Sequence, residues 1–270
     1  MPQEKWVVTG PKVIDLPAVT SVKVSLLGGR IDVIGTDEPT ARVEIGEVSG
    51  RDLLVRIDGG SLEIDHPQLR WDDFLEAFRA FRGRASTTVS LLVPRNATLK
   101  LGVVSADALI SGMASPTRLS TVSGSIMLDG SEGHADLNSV GGTLSVRGHR
   151  GGITAHTVSG DVSATGALTS FSCDGVSGDV FIDATGVPER IETNTVSGGT
   201  TIRLADGVPA RFTVNTVSGT AQLDGRVIKG IHGRGESWST VETGPWTEVR
   251  SNSVSGDIVV VRAVPAEEAR

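Results

Sequence analysis

The sequence predicts an all-β chain wound as a parallel β-solenoid, single-stranded and β-helix-like, with rungs of about 18 residues. Three observations carry this. A short phrase of the form Thr-Val-Ser-Gly recurs along the chain, and the apolar residues within each recurrence are spaced by two. The composition is rich in glycine and poor in rings, with 34 Gly, no Tyr and an aromatic share of 4%.

The recurrence is clearest when each copy is indexed by its valine: Val104, Val122, Val140, Val158, Val176, Val196, Val217 and Val254. The steps are 18, 18, 18, 18, 20, 21 and 37, the last reading as two units of which one copy is degenerate. A fixed period in this range is the mark of stacked rungs, each burying its apolar face against its neighbours.

Apolar columns appear when the units are aligned. Four residues after the valine stand Ile126, Leu144, Val162, Val180, Thr200, Ala221 and Ile258. Six after it stand Leu128, Val146, Ala164, Ile182, Ile202, Leu223 and Val260, and five before it Ala135, Ile153, Phe171, Ile191, Phe212 and Val249. Each unit therefore holds two short strands with alternating side chains. Carrying the alternation through the phrase puts the valine inward and the flanking Thr and Ser outward. The glycine falls where a Cβ would crowd the next rung. Two residues before the valine, Asn138, His156, Asp174, Asn194, Asn215 and Asn252 are expected at a corner between strands, as a ladder of short polar side chains bonding backbone and one another.

In chain order, residues 1–104 read as an irregular N-terminal β region continuous with the solenoid, with strands such as "SVKVSLL", "RIDVIG" and "DLLVRID". Inserted in it, "RWDDFLEAFRAFRG" at 70–83 has helical spacing. Trp71, Phe74, Leu75, Phe78 and Phe81 fall on one face, acids lead and arginines follow, and Gly83 supplies the stop. This short amphipathic helix is expected either to cap an open strand edge or to present its aromatic face to a partner. Residues 105–262 form the regular solenoid, interrupted by a Gly- and Trp-containing loop at 225–249, and 263–270 form a frayed tail.

Composition narrows the function classes. The formal net charge is −7, and without clustered Lys and Arg a nucleic-acid partner is not expected. No run approaches the roughly 18 apolar residues of a spanning helix, and the opening residues contain no signal-like apolar stretch. Integral membrane insertion is therefore not expected. Peripheral contact is left open through the aromatic face, and a cytoplasmic location is expected. The lone Cys173 reads as a small buried side chain.

The phrase "VSLLVPRNATLKLGVVSADALISG" followed by the reiterated "TVSGSI", "TVSGDV" and "NSVSGDIVVV" resembles the bacterial toastrack family, also called the putative adhesin family of β-strand repeats. The resemblance implies a β-solenoid and, in some relatives, a link to envelope-stress systems or surface attachment. It brings no catalytic residues.

Candidate chemistry is sparse. Asp161, Asp179 and Asp257 share a column three after the valine, but Gly199 and Thr220 interrupt it, so they read as turn acids rather than a carbohydrate-cleaving cluster. His134, His149, His156 and Asp174 lack compact metal-ligand spacing. The hexapeptide acyltransferase pattern fails at His134 and Gly152. Outward Thr and Ser around the valine would resemble an ice-binding ladder, a remote alternative. The expectation is a non-catalytic interaction scaffold with no cofactor and no metal, whose partner is a protein or a second copy. A carbohydrate-active β-helix enzyme is the alternative.

Overall fold

The computed structural model describes residues 3–66, 85–229, 236–239 and 246–263. Among these there are strands and turns and no helix, hence no helix long and apolar enough to cross a membrane. The segment expected as a helix at 70–83, with Trp71, Phe74, Leu75, Phe78 and Phe81, lies outside the described residues, as does the tail beyond 263. The chain divides into two compact units, Met1–Gly133 and His134–Arg270.

The N-terminal unit contains β1 (Glu4–Val8), β2 (Lys12–Ala18), β3 (Ser21–Thr36), β4 (Thr40–Ser49), β5 (Leu53–Asp58), β6 (Ser61–Asp65), β7 (Ser86–Pro94), β8 (Thr98–Ser111), β9 (Thr117–Thr121) and β10 (Ile126–Asp129). β3 and β8 are long and run side by side in parallel through a common bend. At that bend Gly29 holds φ +106°, and a Cβ there would collide with the Thr87 backbone, so only glycine fits. Before the bend β3 buries Val22, Val24 and Leu26; after it, Ile31 and Val33. The inward parity switches at the turn. The first half of β3 pairs in parallel with β6 and the second half with β7. Beyond these, antiparallel strands finish the unit: β5 and β1 on β6, β4 and β2 on β7.

The C-terminal unit contains β11 (Glu132–Ser139), β12 (Leu144–Thr157), β13 (Val162–Gly175), β14 (Val180–Ala184), β15 (Arg190–Thr195), β16 (Thr200–Leu204), β17 (Ala210–Thr216), β18 (Thr220–Leu223), β19 (Arg226–Lys229), β20 (Glu236–Ser239), β21 (Thr247–Ser253) and β22 (Ile258–Arg262). Its rungs are parallel and in register by column. Ile153 sits beside Phe171, Phe171 beside Ile191, and Ile191 beside Val249. Leu144, Val162, Val180, Thr200 and Ile258 form the matching row on the other face. The apolar columns four after, six after and five before the valine are buried throughout this unit.

Two expectations fail. The 37-residue step does not hide a degenerate parallel rung: the described strands β19 and β20 pair antiparallel with β18 and β17. The last rung in sequence, β21 with β22, is inserted between the rungs of β15–β16 and β17–β18. The second failure is the orientation of the phrase. Val140, Val158, Val176, Val196, Val217 and Val254 point outward and are 37–53% exposed, while the hydroxyl residue before every one of them but Val176, which follows Gly175, points in. Thr157, Thr195, Thr216, Ser139 and Ser253 are buried.

The reason is a local turn. The Thr157 hydroxyl accepts the Gly160 N–H and donates to the Gly160 carbonyl, both at 2.9 Å. Ser253 accepts from Gly256 at 2.8 Å, and Ser139 donates to the Gly142 carbonyl. A hydroxyl that closes its own turn can be buried without losing its hydrogen bonds. The turn resets the alternation, so the parity of the following strand cannot be carried back through it. With Thr157, Thr195 and Thr216 inside, the outward Thr-x-Ser ladder that the ice-binding alternative requires is not formed among the described residues.

Candidate functional site

With the turn resolved, nearly every residue of the phrase has a folding task. Where a Ser follows the valine, its backbone N–H donates to the valine carbonyl of the neighbouring rung, as in Ser159 to Val140 and Ser177 to Val158, both 2.8 Å. Its hydroxyl adds a second bond to the same oxygen, at 3.1 Å for Ser159. The glycine must be glycine: a Cβ on Gly198 would strike the Gly178 carbonyl oxygen, and its φ of +116° excludes side chains independently. The acids three after the valine accept the next rung's backbone amide, Asp161 from Asp179 at 2.9 Å, Asp179 from Gly199 at 2.7 Å and Asp257 from Thr220 at 2.8 Å. Only the valine side chain is left over. Half in water, it supports neither the turn nor the core.

The six exposed valines form one column. In spatial order they are Val140, Val158, Val176, Val196, Val254 and Val217, fixed by the bonds of Ser255 to Val196 and Ser218 to Val254. Beside it runs the polar column of the sequence-predicted residues. The Asp174 carboxylate accepts from the Asn194 amide at 2.9 Å, Asn194 from Asn252 at 2.8 Å, and Asn252 from Asn215 at 2.7 Å. His156 Nδ1 lies 3.4 Å from Asp174 at the ladder's other side. Asn138 does not join; its amide bonds Asp136 in its own strand. These residues are not at a corner but at the next-to-last position of their strands, which is why they share a face with the valines.

Between the two outward columns lies a shallow groove of about 390 Å³. Its floor is the inward Thr column, interrupted at Gly175, and its walls include Val176, Val196, Val254, Asp174, Asn194 and Asn252. The lining contains one carboxylate and no cation.

Bonds from Thr220 hold the Asp257 carboxyl below the usual range, the opposite of a general acid. Burial pushes the Cys173 thiol up to about 12, with Asp174 adding to the effect, so it is no ready nucleophile. Among the described residues no group of three or more His, Cys, Asp or Glu stands together as a metal site. Of the sequence-predicted residues, the structure brings together His156, Asp174, Asn194, Asn252 and Asn215. Sequence reasoning missed the exposed valines. The available signal was the hydroxyl or glycine that precedes them.

A family model described as Toastrack DUF4097 matches residues 30–261. The chain belongs to the Toastrack family. Among solved structures, this Toastrack chain is similar to a "putative lipid binding protein" of Parabacteroides distasonis, at 12% identity, covering 95% of this chain and 97% of that one with a TM-score of 0.48. It is also similar to a "putative adhesin" of the same organism, at 14% identity, 95% and 99% coverage and a TM-score of 0.40. A third is a "putative adhesin" of Parabacteroides merdae, at 11% identity, 97% and 96% coverage and a TM-score of 0.41. No curated protein matches.

Proposed function

We propose that this Toastrack chain is a non-catalytic interaction scaffold whose contact face is the valine column and adjoining polar ladder of the C-terminal unit. The observation that carries the reading is the exposure of valine at six successive rungs, at a position where the fold makes no use of it. An apolar row of this kind, rimmed by polar residues, is the pattern of a surface that meets another molecule. The proposed partner is a protein. The setting, an envelope-stress or surface-associated system, rests on the family resemblance.

The test is a photo-crosslinking amino acid at Val196 in the native cell, with one at exposed Val13 of β2 as control. Discrete protein adducts from position 196 and none shared with position 13 support the reading. An absence of adducts at 196 removes it.

A further inference from the structure

We infer that the valine face binds a second copy of this chain, ladder against ladder, as a weak and reversible dimer; this rests on the contact-face reading above. The argument concerns what it costs to dry this face and what can match it.

Drying costs less than it would on an ordinary polar face because many of the polar groups are already paired. Asn194, Asn252 and Asn215 each donate one amide N–H to the next member of their own column. The carbonyls of Val140, Val158, Val196 and Val254 each accept from both the N–H and the hydroxyl of the next Ser. Polar groups satisfied internally lose less when water leaves than unpaired ones do.

Matching is more demanding. Six valines repeat at the spacing of stacked strands, ~4.8 Å, so a partner that fills every step must carry the same pitch. A second copy does. The groove beside the column offers a seat for the opposing valines, so that each copy's valines lie between the other's valine and Asn columns, as paired sheets interdigitate. An identical partner also requires that like charges not face each other. Although the chain carries a formal net charge of −7, this stretch of the two columns holds one carboxylate, Asp174, with His156 beside it. In two-fold apposition with antiparallel ladders, Asp174 of one copy comes opposite Asn194 of the other, which is an amide. The columns are isologous, as a two-fold contact demands.

The size sets the strength. Six rungs at ~4.8 Å and a width of about 15 Å give roughly 900 Å² buried in total, below the range of stable complexes and within that of transient ones.

The test is sedimentation velocity of the full-length chain over about a hundredfold concentration range. The wild type is expected to shift from monomer toward dimer, Val176→Lys/Val196→Lys to stay monomeric, and Val227→Lys, an exposed valine of β19 off the ladder, to behave as wild type. Should the lysine pair fail to fold, Val176→Thr/Val196→Thr keeps the shape and is expected to weaken association about tenfold or more. A wild type that is monomeric throughout, or a folded ladder variant that associates as strongly as wild type, overturns the inference. A monomeric wild type whose Val196 still crosslinks a different protein in cells overturns the dimer and leaves the contact face standing.

Discussion

The same position of the repeated unit meets two fates. In the N-terminal unit Val104 and Val122, in the column that also contains Leu27, are 3% and 4% exposed and pack with Leu27 and Ala85 in a buried cluster. In the C-terminal unit the equivalent valines are about half exposed. The rung itself is built alike in both: Thr121 closes its turn on Gly124 at 2.7 Å, as Thr157 does on Gly160, and Ser123 bonds the Val104 carbonyl at 3.1 Å, as Ser159 bonds Val140. The difference teaches that the fold is indifferent to whether this valine is covered. Its burial is decided by what lies over it and not by the strand it sits on.

The sharpest way to break that comparison is to place a charge at both positions. Val104→Asp is expected to cost about 3 kcal/mol or more, because a carboxylate enters an apolar cluster with no partner. Val176→Asp is expected to change stability by less than about 0.5 kcal/mol, as surface substitutions do. Chemical denaturation of the two variants measures the contrast, and equal losses would show that the exposed valine is structural after all.

A smaller effect separates two hydroxyls of the buried column. Thr157→Val removes a group that both donates to and accepts from Gly160, and a loss of about 1–2 kcal/mol is expected. The Thr195 hydroxyl is buried with no hydrogen-bond partner among the described residues, so Thr195→Val should be neutral or stabilising. A thermal melt of each suffices; a Thr195→Val variant as damaged as Thr157→Val would show that the column acts by shape alone.

The smallest effect is on pH dependence. The bonds from Thr220 lower the folded-state pKa of Asp257, so the unfolded chain binds its proton more readily. Asp257 therefore contributes stability that is present above the ordinary carboxylate range and is lost as pH falls through its depressed folded value. Asp257→Asn should flatten the acid limb of the stability curve slightly. An unchanged limb would mean that the rung-to-rung bond is made equally by a neutral side chain.

Much of this architecture was legible in the sequence. The apolar columns containing Ile153, Val162 and Ala164 follow directly from the period and the two-residue alternation. The polar ladder was legible because identical short side chains recur in one column. The valine was misread because alternation was carried through Ser-Gly, where a hydroxyl-closed turn resets the parity; periodicity contains no term for that local bond. The order of the last rungs was not legible either. "NTVSG" at 194 and at 215 and "NSVSG" at 252 present the same columns, so every stacking order satisfies the same side-chain matches.

That rung order has a mechanical consequence. The chain's last described strands, β21 and β22, are held from both sides, β21 by β15 and β17 and β22 by β16 and β18. A pull on the C-terminus therefore does not peel an outermost layer. It must draw a slab from between two others, breaking two seams at once, and the rung of β17–β18 acquires its parallel neighbour only after the ribosome has released residue 262. Tension applied at that end is met by the interior of the stack.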